Sequence, residues 1–396
     1  MIATGQLPKD WQWVKLGEVC TAIRGVNFPS HEASYETFEN SIACLTTGSI
    51  QDEVAWPTRR FVPLFRVQKN QIIQPGDLLV STANSKELVG KSCSVSELPY
   101  QATFGAFVTL LRPTPAIVPD FLNFTFRRRE TAEFCFRSSS HTTGISNLRV
   151  SDLLNFTIPL PPLAIQRQIA SSLREQTEEV QHAGKAIESQ RVAYDFLIHA
   201  LLRESLANNS CQRLLLGECL NEVTQGIGER WAEFPVLGAT RAGLALAKEP
   251  VGKQPGRYKP VVPGTIFYNP MRILLGSIAM IDDDDQPGIT SPDYVAMRGV
   301  EGKLHPRWFY HWFRSVYGAE FIKSLTRGAV RERLMFKRLA PAQITVPDWL
   351  TQLAVAAKLK EIKRAKVLLE QRLAEIERLP AALLRQVFWG IVDPVT

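Results

Sequence analysis

The sequence predicts an α+β fold built twice: two mixed α/β domains separated by two long helices that pair as a coiled coil, the whole an internal duplication. Three observations predict it. Short motifs recur in the same order in both halves, seven-residue apolar repeats run through two long segments, and a proline-containing strand end precedes each segment. The implied boundaries are a first domain over 1–160, a first spacer helix over 161–207, a second domain over 208–348, and a second spacer helix with a C-terminal tail over 349–396.

The duplication rests on four matches. "LGEVCTAIRG" (16–25) returns as "LGECLNEVTQG" (216–226), and "QPGDLLVST" (74–82) as "VPGTIFYNP" (262–270). "FTIPLPPL" (156–163) returns as "ITVPDWL" (344–350), and "ALLRES" (200–205) as "ALLRQV" (382–387). The offset shrinks from 200 (Leu16 to Leu216) through 188 (Pro75 to Pro263) to 182 (Leu201 to Leu383), as shortened loops in a second copy would produce. Within each domain, β-branched and aromatic runs such as "GDLLVSTAN" and "GAFVTLLRP" read as strands between Gly and Pro turns.

In the first long segment Leu173, Val180, Ile187, Tyr194 and Leu201 recur every seven residues, with Ile169, Ala183 and Leu197 on a companion seam. In the second, Val355, Ile362, Leu369, Ile376 and Leu383 do the same, with Leu359 and Leu373 beside them. A narrow, sustained heptad seam is the pattern of a coiled coil, whereas a helix lying on its own domain carries a broader stripe. Gln176, Gln190 and Lys366 fall on the seams and are expected to fix register. Pro380 is expected to kink or end the second helix. Prolines 159, 161 and 162 stiffen the first exit, and some 40 residues of helix span roughly 60 Å at 1.5 Å per residue. The helices therefore read as a ruler between two domains.

Hydrophobic residues at 45% and charged residues at 21% fit a globular protein. No apolar run approaches the roughly 18 residues of a membrane span, and "MIATGQLPKDWQW" lacks a signal-peptide layout, so a cytoplasmic chain is expected. Cys20, Cys44, Cys93, Cys135, Cys211 and Cys219 form no C-x-x-C pair and read as free thiols. The net charge of +7 favours a polyanionic partner. Basic residues gather before each hinge: five arginines against two glutamates over 126–149, and six cations against one acid over 321–338. Each cluster alone reads as a solvated face, but their matching positions point to a shared polyanion surface. "DDDD" (282–285) lacks the alternating spacing of a calcium loop and reads as an exposed loop without a binding role.

Catalytic motifs are weak. "SKELVGKS" (85–92) is one residue short of a phosphate loop and has Ser85 where the first glycine belongs. Asp293, Glu301 and Lys303 follow the order of a nuclease triad, without the supporting strand geometry. "YNPM" (268–271) lacks the second proline and the aromatic of an adenine methyltransferase motif. The sequence shows no persuasive catalytic or metal centre.

"LPKDWQWVKLGEV", "ANSKELVGK", "TIPLPPLAIQRQI", "FYNPMRILLGSI" and "SPDYVAM" together closely resemble specificity subunits of type I restriction–modification systems, over essentially the whole chain. Ile165 stands where that family commonly has Glu, and the second hinge, "VPDWLTQLAV", has lost the proline pair and the Gln-Arg pair, which leaves its exit geometry open. The resemblance implies two target-recognition domains, each reading half of an interrupted double-stranded DNA site, and two spacer helices packed antiparallel with pseudo-twofold symmetry. It implies a chain with no chemistry or cofactor of its own, docking two copies of an adenine-N6 methyltransferase (modification) subunit. S-adenosylmethionine would be held there, and ATP and Mg by restriction endonuclease/translocase subunits. A specificity subunit of a related bifunctional nuclease-methyltransferase, a single-chain nuclease or methyltransferase, and a purely structural coiled-coil adaptor are the alternatives.

The DNA-contacting candidates follow the duplication. In the first domain they are Asn84, Ser85, Lys86 and Lys91 after the strand "DLLVST", with Asn147 and Arg149 beyond the glycine turn. In the second they are Asn269 and Arg272 after "TIFY", with Arg327, Arg331 and Arg333. Asn can read adenine and Arg guanine bidentately, whereas Lys mainly neutralises phosphate. The competing role for the asparagines is turn stabilisation.

Overall fold

Each half of the chain closes on itself by pairing its first strand with its last. Gln12–Lys15 runs antiparallel to Thr157–Leu160 with Gln12 opposite Leu160, and Gln212–Leu215 runs antiparallel to Gln343–Val346 with Gln212 opposite Val346. The computed structural model describes residues 7–142, 144–207, 210–248, 251–326 and 333–389. It divides into two units, one of Met1–Gly184 with Ala374–Thr396 and one of Lys185–Leu373.

A four-stranded antiparallel sheet forms the centre of each unit, in the same strand order. In the first it runs Cys20–Arg24, Val108–Pro113, Leu78–Ser81, Ser92–Ser94. In the second it runs Leu220–Glu222, Val295–Gly299, Thr265–Tyr268, Ile278–Met280. The likeness reaches single atoms. The Pro-Gly turn before the third strand puts Gly76 at φ 91° and Gly264 at φ 84°, a conformation open to glycine. The next residue closes the turn: Asp77 accepts from the Gln74 amide at 2.7 Å, and Thr265 Oγ1 from the Val262 amide at 3.1 Å. An arginine on the neighbouring strand reaches it in both copies, Arg112 Nε to Asp77 Oδ1 at 2.8 Å and Arg298 Nε to Thr265 Oγ1 at 3.1 Å. The first unit adds two three-stranded sheets, and the second adds two two-stranded antiparallel pairs.

The first long helix spans Leu163–Leu206 and the second Trp349–Ile376. One buried glutamine in the first turn ties each to its domain. Gln166, 1% exposed, accepts from the Val118 amide at 2.8 Å and donates to the carbonyls of Ala116 (3.1 Å) and Pro161 (2.8 Å). Gln352, fully buried, accepts from the His305 amide at 2.8 Å and donates to the carbonyls of Lys303 (3.1 Å) and Pro347 (2.8 Å). The second hinge therefore keeps the first one's exit geometry, although its sequence diverges. Asp348 stands where Pro162 does. It compensates as a helix cap, accepting from the Thr351 amide at 2.9 Å and the Thr351 hydroxyl at 2.8 Å.

Along the helices the heptad residues divide between the units. In the first, Leu173 is buried with Ala170 in a cluster that also holds Leu384 and Phe388, and Ile169 and Leu383 pack against it. In the second, Leu201 and Leu202 share a cluster with Val355, Leu359 and Ile362, with Tyr194 and Ile198 packed against it. Lys366 Nζ bonds Asp195 at 2.6 Å. Partner numbers fall along one helix as they rise along the other, so the helices are antiparallel within this unit. Leu369 is buried, while Val180, Ile187 and Ile376 are half-buried.

One expectation fails here. Gln176 and Gln190 are exposed, and Leu197 is exposed while Ile198 turns inward, because an α-helix at 3.6 residues per turn drifts off a strict heptad. The second helix ends where Pro380 predicts a break: it stops at Ile376, and a closing helix, Leu379–Trp389, starts afresh with Pro380 in its first turn.

The acidic run is a second correction. Asp282 is 4% exposed and ion-paired with Arg307, itself 7% exposed, and Arg307 also reaches Asp283 at 3.0 Å. Asp283 then bonds Lys360 at 2.7 Å, Asp285 bonds Lys363 at 2.9 Å, and Asp284 lies 3.2 Å from Arg364. A turn of consecutive carboxylates thus grips one face of the second long helix, within the same unit. Sequence alone hid this because the cations lie some 75 to 80 residues away.

Two predictions follow from these ties. Gln352→Leu or Gln166→Leu leaves one amide and two carbonyls without their partner, costing about 3 kcal/mol in urea unfolding and deprotecting the first helical turn in hydrogen exchange. For Asp282, burial alone raises the pKa, but hydrogen bonds from Arg307 and the Asp283 amide and the charges of Arg307 and Lys363 outweigh it, leaving a value of about 2. Because the folded value is depressed, its stabilisation is complete above roughly pH 4 and is lost as pH falls towards 2. Asp282→Asn should abolish that acid dependence and destabilise the unit by about 3 kcal/mol, whereas Asp284→Asn, an exposed pair, should change stability by less than about 0.5 kcal/mol.

Candidate nucleic-acid interface

In the first domain the loop after Leu78–Ser81 and the strands Ser139–Thr142 and Ile145–Leu148 come together in one three-stranded sheet with Ala83–Asn84. Asn84 lies opposite Ser146, and Asn147 lies opposite Ala83 and Ser140, so the two asparagines occupy opposite faces. Asn147 is exposed. Asn84 is half-buried and uses its amide locally, donating to Ser81 Oγ and accepting from the Ser85 amide, both at 2.9 Å. Ser85 is half-buried and its carbonyl accepts from Leu88 and Val89, forming the turn that exposes Lys86. Lys91 is half-buried and bonds Gln51 Oε1 at 2.6 Å, and Arg149 is exposed at the start of the helix Val150–Leu154.

Much of the first arginine cluster serves the domain itself. Arg127 donates to the Asp52 carbonyl, Arg128 lies 4.6 Å over Phe388, and Arg129 bonds Glu133 at 2.7 Å. Arg137 is exposed with only a loose pair to Glu133 at 3.9 Å, and Asn147, Arg149 and, from the neighbouring turn, Lys86 are exposed as well.

In the second domain Asn269 accepts from the Met271 amide at 3.0 Å, again holding a turn. Arg272, next on that turn, is exposed. It lines a cleft of about 850 Å³ with Arg241, Arg314 and Lys323. No carboxylate lines this cleft among the described residues. Arg314 also supports the cleft wall, donating to the Arg241 carbonyl at 2.7 Å and the Ile278 carbonyl at 2.5 Å. Arg333 is exposed beside Met271, 3.4 Å from its sulfur, whereas Arg327 and Arg331 lie outside the described residues.

Sequence reading missed Arg241 and Arg314, which lie 73 residues apart and converge with Lys323 of the second basic cluster only in the fold. It also missed the exposed aromatics Tyr35, stacked 5.0 Å under Arg60, and Phe107, whose carbonyl receives the Thr82 and Ala83 amides beside Asn84. No sequence pattern marks these as exposed.

The catalytic motifs lack supporting geometry. The strand Val295–Gly299 stands between Asp293 and Glu301, and Lys303 bonds the Glu218 carbonyl at 3.2 Å. No group of His, Cys, Asp and Glu side chains among the described residues is placed to hold a metal ion. Burial pushes the Cys20, Cys44, Cys93 and Cys135 thiols up to about 12, out of the range of a reactive thiolate. No described helix is long and apolar enough to cross a membrane.

Comparison with known proteins agrees with this geometry. Residues 8–187 match the type I restriction modification DNA specificity domain. A stretch of 174 residues is 31% identical to the EcoKI specificity subunit of Escherichia coli, covering 43% of this chain and 37% of that one. Another of 175 residues is 32% identical to the StySPI specificity subunit of Salmonella potsdam, covering 43% and 36%. These matches span little more than a third of the relatives' length. The MjaVIII specificity subunit of Methanocaldococcus jannaschii is 22% identical over 97% of this chain and 93% of its own. Among solved structures, one described as the basis of complex assembly and conformational transition of the type I R-M system matches with a TM-score of 0.64 at 17% identity, covering 97% of this chain and 98% of that one. The HsdS subunit of Thermoanaerobacter tengcongensis matches at 0.54 and 18%, covering 98% and 99%. Residues 8–187 thus match a type I restriction modification DNA specificity domain, and the chain as a whole shares the fold of a solved HsdS subunit.

Proposed function

We propose that this chain is the sequence-reading subunit of a type I restriction–modification complex, acting in the cytoplasm and carrying no chemistry of its own. Each domain reads one half of an interrupted double-stranded DNA site. The two helices hold the domains at a set separation and dock two modification subunits, which bind S-adenosylmethionine and methylate adenine. Endonuclease/translocase subunits, using ATP and Mg, join that assembly.

The observation that carries this reading is the atomic duplication of sheet, turn and glutamine-tied helix, with a basic cleft on the second copy that no carboxylate lines among the described residues. A single-chain enzyme needs one active centre and gains nothing from two such frames. A structural adaptor needs no basic cleft. Phosphate attraction supplies affinity, and exposed Asn147 and Arg272 are of the types that read adenine and guanine edges.

Exchanging residues 1–155 for the matching segment of a relative tests modularity. Mapping methylated adenines in cells expressing the exchanged chain with its modification subunit should show one altered half-site, and alteration of both would contradict independent readers. Inserting one heptad in both long helices should lengthen them by about 10 Å and widen the gap by about three base pairs. Unchanged spacing in the methylated sites would remove the ruler. Arg272→Ala, as a base reader, should cost about 1–3 kcal/mol on the cognate site and little on other DNA, and Lys86→Ala, as a phosphate contact, should weaken all sequences alike and reduce the salt slope by about one unit.

A further inference from the structure

Loops at the same place in the two central sheets expose leucines beside cations. Between Leu78–Ser81 and Ser92–Ser94, the first domain exposes Lys86 and Leu88. Between Thr265–Tyr268 and Ile278–Met280, the second exposes Met271 (65%), Arg272, Leu274 (40%) and Leu275 (69%). Folding does not require those apolar side chains outside, since Ile273 alone, at 2% exposed, anchors the loop.

The second loop is also preformed. The Arg272 amide donates to the Asn269 carbonyl at 3.0 Å, Leu275 to Arg272 at 3.0 Å, and Gly276 to Ile273 at 2.8 Å. Gly276 ends the turn in the left-handed region, φ 79°, and Arg314 supports it from below through the Ile278 carbonyl at 2.5 Å. The rigid apolar tip borders the basic cleft, beside Arg241, Arg272 and Lys323.

We propose that this tip is a DNA wedge: Leu275, backed by Leu274 and Met271, inserts between adjacent base pairs of the second half-site while the surrounding cations hold the flanking phosphates. The proposal rests on the DNA-reading function above. Apolar wedges of this kind unstack a base step and bend the duplex, and flexible pyrimidine–purine steps yield most readily. The wedge therefore adds a sequence preference at a step that receives no hydrogen bond. An apolar peptide could also cover the leucines, but a cation border that holds no carboxylate among the described residues fits a polyanion.

The test uses the full chain in complex with its modification subunits, on duplexes carrying its methylated site. 2-Aminopurine is placed in turn at each position of the second half-site, and end-to-end energy transfer reports bending. The wild-type complex should raise fluorescence at one step and shorten the end-to-end distance. Leu274→Ser with Leu275→Ser should abolish both signals and weaken target binding roughly tenfold, leaving unrelated DNA unaffected. Leu275→Phe should keep them, which separates loss of the wedge from misfolding of the loop. Lys323→Ala should weaken target and unrelated DNA alike and preserve the fluorescence change. Selective binding without a bend, or a step signal that survives the double leucine substitution, overturns the wedge and leaves DNA reading intact. Absence of any target selectivity in the wild-type complex overturns the functional reading and the wedge together.

Discussion

A glutamine side chain buried in the first turn of a helix governs how each domain passes into its spacer. Gln166 and Gln352 each satisfy one amide and two carbonyls that would otherwise be buried without partners. The amide belongs to the residue just before a proline that begins a domain helix, Pro119 in one copy and Pro306 in the other. Each glutamine therefore joins three pieces of chain at one point: the domain helix, the last strand and the spacer helix. A side chain with a donor and an acceptor at its tip can do this, and leucine cannot.

The rest of each unit is arranged around that junction. The closing strand pair brings both chain ends of a domain to one place, so the spacer leaves where the domain began. The same frame fixes the third strand and the loop beyond it, where the exposed candidate residues lie. Loops outside this frame have diverged freely: one unit has two extra three-stranded sheets, the other two pairs of strands. A rigid frame with variable additions fits the proposed pair of readers on one scaffold.

The duplication and the heptads were legible because they depend on local spacing, which a chain carries openly. "TIPL" and "ITVP" announced both closing strands, and Pro380 announced the break between the second long helix and the closing one. What stayed hidden depended on distance. Asp282 could not be matched to Arg307, nor Asp283 to Lys360, until the fold brought them together. The divergent second hinge concealed a retained function, because Gln352 was present but its neighbours, not its contacts, dominated the comparison of sequences. Asn84 and Asn269 show the limit of residue type as a guide: both sit where base readers were expected, and both spend their amides on turns. Exposure of Asn147 and Arg272, and the convergence of Arg272 with Arg241, Arg314 and Lys323, are visible only in three dimensions.

The central claim is that one chain places two separate readers on one DNA molecule at a set distance. Hydroxyl-radical footprinting of the full complex on its own methylated site tests it most directly. The account predicts two protected tracts separated by an unprotected gap of constant length at every site in the genome. A single continuous tract, or two tracts whose separation varies from site to site, would contradict it.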